Sequence, residues 1–380
     1  MLTMLTMLTM LTMPSFRTWA QSHPLPETHQ PLTTSVIPAL LGSIARISTA
    51  LRHRHHISPT DGNTLNAFGD AQLNVDVLAE KILRDALAAC PAVCTASSEE
   101  DPIERPVHDA PTENETSHQS KVSQETPSSS SLSSSASASA SSSTSYTVAF
   151  DPLDGSSIIG PNWTVGTIIG IWHSTTALSQ DPSTKQIASL LGVYGPRTTA
   201  FVAIRIPGQE PLCVEVGIPP AEASEGHSGQ EEVDFPIIRD CVRLASSAPS
   251  AGETRYFAPA NLRAAADDAR YWKLVERYIR GGYTLRYSGG LVPDVVHALV
   301  KGRGVYVSPV TAGSKAKLRR LYELLPVALV VECAGGRAVD SLEGTDVLAR
   351  AVEGCDERGG LVCGNGDEVE FAMATLGSEK

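Results

Sequence analysis

Phe150-Asp151-Pro152-Leu153-Asp154-Gly155-Ser156-Ser157 sets two carboxylates three residues apart and follows them with a turn of small residues. The run before it, Tyr146-Thr147-Val148-Ala149-Phe150, is aromatic and β-branched and reads as a strand. Asp151 and Asp154 would then project from a strand end, and Gly155 would let the backbone bend so that the next amides face an anion. That is the composition of a magnesium and phosphate site. A strand that simply ends in an Asx-rich turn has the same pattern. About fifty residues upstream, Ser98-Glu99-Glu100-Asp101 brings three more acids. Alone they read as a solvated loop; beside the first motif they could complete a shell of hard oxygen ligands.

These residues resemble the sugar bisphosphatases of the fructose-1,6-bisphosphatase superfamily. The resemblance rests on Asp151 to Ser157, on Thr164-Val165-Gly166-Thr167-Ile168-Ile169-Gly170, on Ser98-Glu99-Glu100, and on Lys317-Leu318-Arg319-Arg320-Leu321-Tyr322-Glu323. Phe68 to Asp76, Tyr194 to Thr199, Pro259 to Arg263 and Tyr283 to Asp294 are more similar to the sedoheptulose-1,7-bisphosphatases within it. It implies an α/β fold, with an α+β N-terminal half and an α/β C-terminal half stacked in αβαβα layers. It further implies that Glu99, Asp151, the Leu153 carbonyl, Asp154 and Glu323 hold two or more Mg²⁺ ions, Mn²⁺ being an alternative. Glu100 and Asp76 match acids that activate water, and Asp70 a further acid beside the metals. Gly155, Ser156 and Ser157 match the cradle of the phosphate being removed. Asn261, Arg286, Tyr287 and Lys317 match the grip on the second phosphate and the sugar, with Leu291 near the ring.

The activity so implied is hydrolysis of the 1-phosphate of sedoheptulose 1,7-bisphosphate, or of fructose 1,6-bisphosphate, by direct attack of water activated at the metals. A related inositol or nucleotide phosphatase, or a weakened relative that only binds sugar phosphate, are the alternatives. A homodimer or homotetramer is implied as well, since relatives lend the residue matching Arg286 to a neighbouring subunit. Two positions depart from the pattern. Gly160 stands where relatives carry an acid, and Ser308 where fructose bisphosphatases carry a phosphate-binding tyrosine. The plant chloroplast enzymes have a paired-cysteine loop before the Phe68 segment, and His56 to Asn66 contains no cysteine.

Bulk properties fit an enzyme of this kind. The chain has 380 residues, 42% of them hydrophobic, enough for a substantial core. Its net charge of -12 argues against nucleic acid as a partner. Seven scattered cysteines without paired zinc spacing read as reduced thiols in a cytoplasmic setting, organelle targeting by the N-terminus staying open. No run of uninterrupted apolar residues reaches the roughly 18 needed to span a membrane.

The pattern divides the chain into a disordered extension (1–30), a phosphatase domain (31–235) interrupted by a disordered Ser-rich insertion (103–144), and a sugar-phosphate-binding α/β domain (236–380). Amphipathic spacing predicts helices over 35–51 and 73–89. Strands are predicted from 147 to 216. A helix-strand alternation follows, with a helix over 315–324 carrying Lys317 and Glu323 and a strand over 327–332.

Overall fold

The computed structural model describes residues 13–54, 57–59, 73–108, 145–221, 234–246 and 253–377. Its β-branched and aromatic runs pair into one large sheet made of β1 (Val93–Ser98), β2 (Arg105–Pro106), β3 (Tyr146–Asp154), β4 (Val165–Trp172), β5 (Gln186–Tyr194), β6 (Thr198–Ile204), β7 (Leu212–Gly217) and β8 (Ile237–Arg239). The strand order is β2-β1-β3-β4-β5-β6-β7-β8. All its pairings are antiparallel except β1 with β3. In that parallel pair Ser98 lies opposite Phe150, so both strands finish at the same edge and deliver Glu99 and Asp151 together.

A second sheet holds β9 (Tyr256–Pro259), β10 (Thr284–Leu285), β11 (Val305–Ser308), β13 (Arg337–Val339) and β15 (Leu361–Gly364) in the order β10-β9-β11-β15-β13, while β12 (Leu318–Arg319) pairs with β14 (Arg358–Gly359). The helices are α1 (Phe16–Ser22), α2 (Ile37–His53), α3 (Asn74–Ala88), α4 (Ser156–Ile159), α5 (Pro182–Lys185), α6 (Ala269–Arg280), α7 (Leu291–Lys301), α8 (Leu325–Cys333) and α9 (Gly366–Leu376). One apolar core joins α1, α2 and α3 to the large sheet, a second sets α7 and α8 between the two sheets, and a third packs α6 and α9 on the outer side of the small sheet. The stack is therefore α, β, α, β, α, the layered α/β fold expected. Every residue of β3 and β4 is buried because both faces of the sheet are covered, which is why these strands read as continuous apolar runs rather than alternating ones.

Three expectations need correction. Residues 315–324 form no regular helix: Lys317 precedes the short strand β12, and Arg320–Leu324 is a π-helical turn leading into α8. Residues 327–332 are helix, not strand; α8 is apolar all round because it lies between two sheets, and such a run carries no periodicity to tell the two apart. The extension through residue 30 is not disordered from Phe16 onward. Phe16 and Trp19 on α1 are 2% and 3% exposed and join the first core, a burial that offsets the entropy of ordering them. Residues 1–12 lie outside the described residues, as do Asp70 and residues 109–144 of the predicted insertion.

The helical segment Glu27–His53 is long and apolar enough to cross a membrane. Its Leu32, Val36, Ile37, Leu40, Leu41, Ile44 and Ile47 are all buried in the first core, so its apolar stripe is satisfied by the sheet.

Candidate active site

Two elements bring three carboxylates into one acidic cluster. Asp151 and Asp154 come from the end of β3, and Glu323 from the π-helical turn; one carboxylate oxygen of each lies within 4.8 Å of the others. The Leu153 amide donates to Asp151 Oδ1 at 3.0 Å, which pins that carboxylate against its own strand. The Arg319 amide donates to Glu323 Oε2 at 2.5 Å and does the same for the turn. Thr167 Oγ1 donates to the Pro152 carbonyl at 2.8 Å, fixing the backbone between the two aspartates.

Asp154 is held from across the domain. The Leu291 and Val292 amides at the start of α7 donate to its Oδ1 (3.1 Å) and Oδ2 (2.7 Å). That contact needs α7 to lie almost on top of β4. A Cβ at Gly166 would come within 2.5 Å of Val292 Cβ, so glycine is what admits the helix.

The electrostatics follow from burial and like charge. Asp151 is pushed well above the usual carboxylate range by burial and by the charges of Glu99, Asp154 and Glu323. Burial and Glu99 push Glu323 up as well, and Asp154 is raised to about 6 despite the two amides that favour its anion. Glu99 begins just past β1, its amide donating to the Phe150 carbonyl at 3.0 Å, and its Oε1 pairs with Arg319 Nε at 2.8 Å. Asp76, on the first turn of α3, accepts from the Leu73 amide at 2.8 Å through Oδ2, while its buried Oδ1 has no hydrogen-bond partner among the described residues. Burial, offset by that amide, and the charges of Glu100 and Glu99 bring its carboxyl up to about 7. A crowded, buried set of carboxylates, all hard oxygen donors, fits a small divalent cation that would compensate their charge.

Gly155 takes φ +92° and turns the chain into α4, which presents Ser156 and Ser157 to solvent beside Asp154. The other predicted residues sit on the C-terminal half. Asn261 adopts φ +51°, its side-chain amide donates to Ser314 Oγ, and its backbone is hydrogen-bonded to the Tyr287 phenol. Arg286 and Tyr287 are exposed and line a cleft of about 830 Å³ with Trp163, Tyr194 and His297. Leu291 is buried, with its amide on Asp154; Lys317 is exposed two residues before Arg319.

Residues 114–214 match the family described as fructose-1-6-bisphosphatase, N-terminal domain, and residues 250–377 match fructose-1-6-bisphosphatase, C-terminal domain. The chain is 34% identical to the chloroplastic sedoheptulose-1,7-bisphosphatase of Triticum aestivum over 83% of its own length and 67% of the relative's. It is 31% identical to the class 1 fructose-1,6-bisphosphatase of Syntrophotalea carbinolica over 83% of its length and 81% of that protein's. The chain belongs to the fructose-1,6-bisphosphatase family. Members of this family are sugar bisphosphatases, that is, phosphoric monoester hydrolases, and they depend on metal ions. A crystal structure described as a candidate sedoheptulose-1,7-bisphosphatase from Toxoplasma gondii superposes with a TM-score of 0.73 at 31% identity, covering 96% of this chain and 98% of that one.

Within this family site, sequence reasoning passed over one residue. Arg319 is 2% exposed, touches Glu99 with its guanidinium and Glu323 with its amide, and so ties two of the acids together. Its signal was its place in the matched run Lys317-Leu318-Arg319. At Gly160 the absent acid leaves open space: a Cβ there would meet nothing within 4 Å.

Proposed function

We propose that this chain is a Mg²⁺-dependent phosphatase that removes the 1-phosphate of sedoheptulose 1,7-bisphosphate, with fructose 1,6-bisphosphate as the competing substrate. The observation that carries it is the convergence of Asp151, Asp154 and Glu323 at the Gly155 turn, in a chain whose relatives include named sedoheptulose bisphosphatases. Glu99, Asp151, the Leu153 carbonyl, Asp154 and Glu323 would hold the cations. When bound, these neutralise phosphoryl oxygens and make a nearby water more acidic.

The chain's own residues do the rest. Asp76 and Glu100 stand beside Glu99, and an acid raised to about 7 with a free oxygen is suited to take a proton from the attacking water near neutral pH. The Gly155 turn and the Ser156 and Ser157 amides orient the departing phosphate. Lys317, Arg286 and Asn261 receive the second phosphate, Arg by a two-point contact and Lys as a point charge. Arg286 stands exposed at the rim of the cleft, a position from which it can serve a second copy of the chain in a homo-oligomer.

Phosphate release is measured from both sugars, with Mg²⁺ and with chelator. Metal-dependent release, faster from the seven-carbon sugar, is expected. Hydrolysis of neither sugar overturns the reading, and a preference for the six-carbon sugar moves the chain to fructose bisphosphatase proper.

A further inference from the structure

Between β10 and α7 the amides of Ser288, Gly289 and Gly290 are all committed. Asp294, on the first turn of α7 and 6% exposed, turns its carboxylate back to accept from the Ser288 amide (Oδ1, 2.6 Å) and the Gly289 amide (Oδ2, 3.2 Å). The Gly290 amide donates to Ser288 Oγ at 3.3 Å. The next two amides, Leu291 and Val292, are those that donate to Asp154. Five consecutive N-H groups thus run from one buried carboxylate to another, the second of which belongs to the acidic cluster. Gly289 sits at φ +104°, one of several conformations open to a free glycine, and the carboxylate selects it by holding the Ser288 amide and its own.

This short span lies directly between Arg286 and Tyr287 on one side and the acidic cluster on the other. The Arg286 amide on the Phe257 carbonyl anchors the near end of this stretch and the Leu291 and Val292 amides on Asp154 anchor the far end, and between them Asp294 holds the Ser288 and Gly289 amides. We propose that Asp294 is a positioning residue for the reaction: by clamping Ser288 and Gly289 it sets the distance between the Arg286-Tyr287 grip on the far phosphate and sugar and the carboxylates around the bond to be broken. It touches no reacting atom. It acts through backbone amides, and its effect falls on how well a two-phosphate substrate spans the cleft.

This inference rests on the sugar bisphosphatase reading, and the experiment separates the two. Wild type, Asp294→Asn and Asp294→Ala are compared for melting temperature, kcat and KM with sedoheptulose 1,7-bisphosphate, and calorimetric affinity for sedoheptulose 7-phosphate. Losing two hydrogen bonds to a charged acceptor should raise KM and the monophosphate Kd about tenfold or more in Asp294→Ala, with kcat changed less than about threefold. Asp294→Asn keeps one acceptor and should fall between. Unchanged affinity in both folded variants, or a loss confined to kcat, overturns the proposal. Should Asp294→Ala not fold, Asp294→Asn decides by the same split. Failure of the wild type to hydrolyse the bisphosphate and to bind the monophosphate overturns the underlying reading instead, before any substitution is made.

Discussion

In the acidic cluster Asp151, Asp154 and Glu323 are 6%, 7% and 8% exposed, whereas among the residues read as gripping the substrate Tyr287 is 42% exposed and Arg286 and Lys317 also face solvent. The acids hang from the last residues of a fully buried strand and from a turn wedged between two sheets. The cations and the tyrosine stand on loops and short strands. Placing like charges in a dry site costs stability, and what is gained is a fixed geometry and a strong field where charge develops. Solvated cations cost little and adapt. We propose that chemistry falls to the rigid set and recognition to the adaptable one, with discrimination between seven-carbon and six-carbon sugars lying among Asn261, Arg286, Tyr287 and Lys317.

The largest test of that division is Glu323→Gln. It removes a charge from the rigid set, so kcat should fall about a thousandfold, while the metal-free protein should melt higher at alkaline pH because one source of repulsion is gone. A loss below about tenfold would break the comparison. Lys317→Ala and Arg286→Ala probe the other set: each should raise KM about tenfold, the worth of a charge-assisted hydrogen bond, with kcat nearly unchanged. A collapse of kcat in either variant would mean that the exposed cations take part in the chemistry.

Stability against pH gives a smaller, sharper signal. Asp154 and Asp76 hold their protons up to about 6 and about 7 in the native state, against an ordinary value of 3.8 in the unfolded chain. Between those limits the native state binds more protons than the unfolded one, so stability is greatest at the acid end of the window and is lost as pH rises toward 7. Melting in chelator should fall across that range, and Mg²⁺ should restore it most at the alkaline end. A flat profile would remove the cost ascribed to the rigid set. The smallest effect belongs to Gly160→Asp. With open space at its Cβ and α4 exposed beside the cluster, the variant should fold normally and gain about two- to tenfold in kcat by adding a proton-transfer group. No gain, with normal Mg²⁺ dependence, would show that the acids already present suffice.

The rigid set was legible in the sequence because its information is local. Asp151 and Asp154 sit in one strand-turn motif, and Glu99 follows a strand that ends in the same register. The docking of α7 on Asp154 was not legible, since it joins residues 137 and 138 apart through amides that no side-chain pattern announces. The same limit hid Asp294. Arg319 was within reach, being inside a matched motif, but it pairs with Glu99 across a sequence separation of 220. The helix read as strand at 327–332 failed for a different reason: a segment covered on all sides loses the periodicity by which helices are recognised.

The parallel pairing of β1 with β3 carries a last implication. Their alignment is set by rungs between Val93–Ser98 and Tyr146–Phe150, with β2 paired to β1 on its far side. The two strands therefore carry their alignment within the described segments on either side. Separate polypeptides ending near residue 108 and beginning near residue 145 would each retain their half of the interlocking rungs, one bringing Glu99 and the other Asp151, and hydrolysis would return only when the halves reassemble. The fold contains the makings of a split-enzyme reporter.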